Sequence, residues 1–96
     1  MRMLLKATMD TETSNELIRS GKMQDVMREM LDHVKPEAAY FGALGGRRTA
    51  LLVFDMQDNS DMPRLGEPFF TQMKAEVEVC PIMNGEDLAK GLAKLQ

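Results

Sequence analysis

The stretch "AEVEV", residues 75 to 79, sets Glu76 and Glu78 two positions apart. On an extended strand that spacing puts both carboxylates on one face. Met3 to Met9 alternates in the same way, with Lys6 and Thr8 out of phase with Met3, Leu5, Ala7 and Met9. If these two strands are neighbours, Lys6 meets Glu78, and Tyr40 from a third strand adds a phenol nearby. Enolisation or lactone isomerisation needs a positioned base and a donor for the developing oxyanion. Glu78, Tyr40 and Lys6 are therefore the candidate catalytic residues. The same Glu–Lys pair is also an ordinary cross-strand stabiliser of a sheet edge.

The remaining polar candidates are weaker. His33 is the only histidine, so one chain can build no histidine dyad and no histidine-based metal cluster. It falls in the last turn of a helix, where a cation suits the negative end of the dipole. Cys80 has no basic residue beside it in sequence to activate a thiol, and reads as a small hydrophobe. "DMQDNSD", residues 55 to 61, resembles a calcium loop, but Ser60 stands where the sixth position needs glycine and Gly66 where the twelfth needs an acid. Arg47 and Arg48 could hold a carboxylate or phosphate through the guanidinium fork, and also suit a hairpin tip as solubilising charges. The glycines form no nucleotide-binding pattern. No metal and no cofactor is implied.

These residues must be positioned by short elements. Met3 to Met9 has the period of a strand. Thr13 and Glu16 fit a helical capping box ahead of Leu17 and Ile18, and Gly21 interrupts that helix. Met23, Met27, Met30 and Val34, with Val26 and Leu31, make an apolar stripe at helical spacing, ended by Pro36. Glu37 to Leu44 and Arg47 to Met56 are hairpin strands around Gly45-Gly46. Ser60 caps the next helical region, with Pro63 in its first turn. Gly66 and Pro68 are expected to divide that region into two short turns burying Leu65, Phe69, Phe70 and Met73. Lys74 to Ile82 is a last strand, and Asn84 caps a final helix with Leu88, Leu92 and Leu95 as its stripe.

The order β-α-β-β-α-β-α begins as the ferredoxin-like split βαβ pattern, an antiparallel sheet with two helices on one face. The expected fold class is α+β, one ferredoxin-like domain over residues 1–96 with an extra C-terminal helix. With a two-residue hairpin loop, Leu44 opposes Arg47. Ala39, Phe41, Ala50, Leu52 and Phe54 then share the face assigned to the helices. Ala38, Tyr40, Leu51 and Val53 line the open face, joined by Leu4 and Cys80. An exposed apolar surface of about 600 Å² exceeds what a monomer usually tolerates. Burying it yields roughly 15 kcal/mol gross, against an association cost of about 4 to 15 kcal/mol. A second copy is the expected cover, giving a homodimer through the open sheet face that forms a dimeric α+β barrel.

Composition bounds the rest. Ninety-six residues at 44% hydrophobic and 28% charged suit one globular domain rather than a disordered chain. A net charge of −3, with basic residues scattered singly apart from the arginine pair, argues against nucleic acid as a partner. The lone cysteine suits a reducing compartment, and the apolar run at the start is too short for a signal peptide or a membrane span. The expectation is a cytoplasmic protein with no membrane partner. Ten methionines and no tryptophan are unusual, and core filling is their commonest use.

"GRRTALLVFDM" followed by "EPFF" and "AEVEV", within residues 46 to 79, resembles the dimeric α+β barrel superfamily, and within it the muconolactone-isomerase-like proteins. The resemblance covers the middle third of the chain and lies in fold pattern rather than in a chemical motif. The C-terminal "PIMNGEDLAKGL" departs from the isomerase pattern, and no catalytic residue carries across. What it implies is a homo-oligomer with a pocket between sheet and helices. The leading expectation is a protein that binds a small, partly apolar organic ligand there, with Thr8, Tyr40, Leu51, Val53 and Arg48 as ligand-binding residues. The alternatives are a cofactor-free isomerase or monooxygenase of small cyclic or aromatic compounds, and a non-catalytic interaction module.

Overall fold

Strand alternation builds the body of the molecule. The computed structural model describes residues 1–96. Its elements are β1 (Arg2–Thr8), α1 (Thr11–Arg19), α2 (Met23–Val34), β2 (Ala38–Leu44), β3 (Arg47–Asp55), a 3₁₀ turn (Asn59–Asp61), α3 (Met62–Met73), β4 (Glu76–Pro81) and α4 (Gly85–Ala93). The four strands form one sheet in the order β2-β3-β1-β4, with every neighbouring pair antiparallel. This is an α+β fold. No helix is long and apolar enough to cross a membrane.

One face of the sheet carries the core. Met3, Leu5 and Ala7 of β1 and Ala50, Leu52 and Phe54 of β3 are fully buried against Met30 and Val34 of α2 and Leu65, Phe69 and Met73 of α3. On the outer strand Val77 and Val79 pack against the same cluster. The hairpin register follows from its turn. Leu44 pairs with Arg47 across Gly45 (φ +62°) and Gly46 (φ +78°). Positive φ at both central residues is the turn geometry that matches strand twist, and glycine adopts it without the clash a Cβ would bring.

Three local expectations are corrected. The cap of α1 is Asp10, whose Oδ2 accepts from the Thr13 backbone N–H at 2.9 Å and the Thr13 hydroxyl at 2.8 Å. The helix therefore starts earlier than a Thr13 cap allows, and Glu16 pairs with Arg19 instead. Asp58 rather than Ser60 caps the 3₁₀ turn, accepting from the Ser60 N–H. Gly66 and Pro68 do not divide α3, which runs unbroken through both. An internal proline costs about 3 kcal/mol by removing a donor and crowding the preceding turn. Burial of Leu65, Phe69 and Met73 on one face, at about 1.5 to 3 kcal/mol each, outweighs it.

The other face of the sheet has no helix on it. Leu4, Leu51 and Val53 are half-buried by their neighbours alone, and Tyr40 and Cys80 are exposed. Arg2 clamps one end of this face, with Nε donating to Glu37 Oε1 at 2.6 Å and Nη2 donating to Oε2 at 3.3 Å. It also reaches Asp87 of α4 at 3.9 Å. Beyond that tie α4 stands clear, with no buried residue of its own. The accessible surface is 6404 Å², against about 5500 Å² for a compact monomer of this mass. The radius of gyration of 15.2 Å likewise exceeds the ~12.5 Å of a compact 96-residue domain.

Hydrogen bonds to ionised carboxylates set the acid response. Donation from Thr13 holds the Asp10 carboxyl below the usual range, the Arg2 guanidinium does the same for Glu37, and Ser60 for Asp58. In each case the unfolded chain takes up a proton at higher pH than the folded one, so stability is lost as pH falls. The urea midpoint is expected to decline steadily from about pH 5 to pH 3, and a flat profile would contradict these assignments. Asp10→Ala is expected to lower the urea midpoint in the same assay at neutral pH, by loss of the cap on α1.

Candidate functional site

β2 and β3 are longer than the helices that cover them. On β3 the buried stretch ends at Thr49, β2 is at most half-buried at Ala38 and Ala39, and beyond them Phe41 carries 55% of its surface exposed. Phe41 shares the helix face, as its alternation requires, but no helix reaches it. What remains is a groove of about 730 Å³ between the overhanging hairpin and the α1–α2 corner. Phe41, Met9, Gly42 and Thr49 contribute from the sheet side, and Ile18, Met23, Met27 and Leu31 from the helices. That volume falls within the usual range of small-molecule sites.

Gly21, at φ +77°, makes the corner. The left-handed conformation ends α1 after two and a half turns and restarts the chain as α2, which turns Ile18 and Met23 toward the same space. Unbranched methionine side chains let such a wall adjust to an occupant.

The polar groups sit at the rim: Arg28, Asp32, Gln24 and Arg48. Arg28 donates to Asp25 at 3.2 Å on its own helix. Arg48 is held differently. Its Nη1 donates to Ser14 Oγ at 2.7 Å and to Asn15 Oδ1 at 2.8 Å, both on α1. Ser14 is completely buried and donates in turn to the Thr11 carbonyl at 3.1 Å. The guanidinium is thereby fixed in place, while its Nε and Nη2 hydrogens engage no protein acceptor. A guanidinium has five donors in a planar fork, so the free edge is suited to a carboxylate or another planar anion.

Neither a known protein family nor a curated protein sequence matches this chain. The site is therefore read from its geometry.

Arg48 is the one sequence-predicted ligand residue that lines the groove through its side chain. Thr8, Tyr40, Leu51 and Val53 lie on the opposite face. The reason is the period of two: Ala50 and Leu52 face the helices, so Leu51 and Val53 cannot. Register pairing extends this to Thr8 and Tyr40.

The candidate catalytic residues also share the open face, in one row across the sheet. Glu78 pairs with Lys6, Lys6 with Leu51, and Leu51 with Tyr40. Lys6 Nζ lies 3.6 Å from Glu78 Oε2. Leu51 separates Lys6 from Tyr40, two strand spacings or about 9.6 Å apart at the backbone. The row thus brings together one ion pair and leaves the phenol at a distance. A neighbouring pair, Arg47 and Glu76 at 3.4 Å, repeats the pattern one step along the sheet. Cys80 and His33 are both exposed.

In sequence Ile18, Met23, Met27, Leu31 and Phe41 have the spacing of core or of a plain helix stripe. The signal that separates them is length. A hairpin arm of seven residues beside an α1 of nine residues, closed by glycine, leaves strand without helix above it. With the Glu78 side chain 74% exposed, Glu78→Gln is expected to change stability by less than about 0.5 kcal/mol in urea unfolding of the monomeric chain.

Proposed function

We propose that this protein binds a small, partly apolar organic anion in the groove between the hairpin and the α1–α2 corner. The observation that carries this reading is Arg48: a guanidinium locked by Ser14 and Asn15 at the mouth of an apolar groove, with its second edge free. The apolar walls would take the body of the ligand, and Arg48 would take its carboxylate. A buried anchor such as Ser14 is what a pre-organised site needs, because the arginine then loses little freedom on binding.

The chain is read further as a ferredoxin-like unit that pairs through its open sheet face, in the manner of a dimeric α+β barrel. The strand order supports the first part. The aliphatic Leu4, Leu51 and Val53, on a sheet face that no helix covers, support the second. The groove lies on the opposite face from that pairing surface, so binding and association would not compete.

The test of the site uses 2-naphthoate as the probe, titrated while the methionine methyl resonances are followed by NMR. Saturable shifts confined to Met9, Met23 and Met27 are expected. Met27→Asp should abolish them, and Arg48→Met should weaken binding about tenfold or more while leaving uncharged 2-naphthalenemethanol unaffected. Shifts at methionines outside the groove, or none at all, would remove the groove as the site. Sedimentation equilibrium at micromolar concentration is expected to return twice the 10.8 kDa chain mass.

A further inference from the structure

α4 is a well-made helix with nothing to lie on. Asn84 Oδ1 accepts from the Asp87 N–H at 2.8 Å and Asp87 Oδ2 accepts from the Asn84 N–H at 3.2 Å, a complete capping box. Leu88 and Leu92 line one side at helical spacing and Leu95 follows in the turn after the helix, with 46%, 52% and 78% of their surfaces exposed. A helix of nine residues is too short to persist in water on its own propensity. Its formation calls for a surface to pack on, and its own body does not supply one.

We infer that α4 is an arm that crosses to a second copy of this chain and packs its leucine stripe on that copy. The inference rests on the reading of the open face as a pairing surface. Three observations point to a second copy as the occupant.

The first is continuity. β4 runs through Cys80 on the open face, its ladder continues in the bond from the Ile82 N–H to the Arg2 carbonyl, and Met83 leads directly into α4. Arg2 sits on the open-face side of β1 and reaches Asp87, so the root of the arm borders the pairing surface.

The second is area. Four strands of about seven residues offer a footprint of about 24 by 19 Å, roughly 450 Å², which falls short of the ~800 Å² that each partner gives to a standard interface. The accessible surface exceeds that of a compact monomer by about 900 Å², and α4, with no buried residue of its own, is part of that excess.

The third is charge. Glu86 and Asp87 sit at the root and cancel Lys90 and Lys94, so the whole formal charge of −3 lies on the rest of the chain. The outer half of the arm carries only Lys90 and Lys94. A cationic tip reaching across a twofold axis meets a body of net charge −3.

The experiment measures amide hydrogen exchange of the full chain across protein concentrations that span dimer formation, beside sedimentation of the full chain and of a Leu88→Asp, Leu92→Asp double variant. Protection of α4 amides is expected to rise in step with dimer, and the double variant should dimerise about 100-fold more weakly or worse. Because α4 buries no residue in its own body, the variant keeps the core and its groove. A full chain that dimerises with α4 exchanging freely at every concentration, and a variant that dimerises equally well, would overturn the arm while leaving sheet pairing intact. A full chain that stays monomeric would overturn both. Protection of α4 that is independent of concentration would show the helix folding back on its own chain, and would also overturn the arm.

Discussion

A single layer of helices lies against a sheet whose central strand β3 is apolar on both sides along its middle. β3 supplies Ala50, Leu52 and Phe54 to one side and Leu51 and Val53 to the other, and β1 adds Leu4 opposite Leu5. β3 has no polar side to give to water along its middle, and on the outer side of β1 only Leu4, set among Arg2, Lys6 and Thr8, adds to that apolar patch. The rest of the architecture answers to that shortage of cover. α2 and α3 are devoted to the inner side, Arg2 braces the end of the outer side against Glu37, and α4 leaves the body instead of folding over it.

Which residues face which way was legible in the sequence, because alternation along β1 and β3 is regular and the Gly45-Gly46 turn admits one short loop. The row from Glu78 through Lys6 to Leu51 follows from those two facts. What was not legible was extent. Phe41 has the right phase to be covered by a helix, and phase alone says nothing of where the helix stops. Pro68 reads locally as a helix breaker, yet three residues of α3 gain enough from burial to carry the helix through it. The cap of α1 falls at Asp10 rather than Thr13 for a similar reason. Asp10 and Thr13 are both good caps, and the choice between them depends on where β1 delivers the chain.

The groove is a product of the same mismatch of lengths. An overhanging hairpin exposes Phe41, and a glycine corner exposes Ile18 and Met23, so two small failures of cover face each other across one space. Methionine suits that space better than a rigid side chain, since its thioether can rest against the opposite wall or yield to a guest. Arg48 alone gives the space a direction, and it owes its position to a buried serine one layer down.

Arg47 and Arg48 are chemically identical neighbours that serve opposite sides of the sheet, one bridging to Glu76 and the other to Ser14. Slide β3 by a single residue and an arginine would still look each way, with aliphatic residues beneath both. Polarity therefore contributes almost nothing to choosing between the two alignments. The choice falls to a pair of glycines in mirror-image backbone conformation, which makes the tip of the hairpin the place where this molecule decides its inside from its outside.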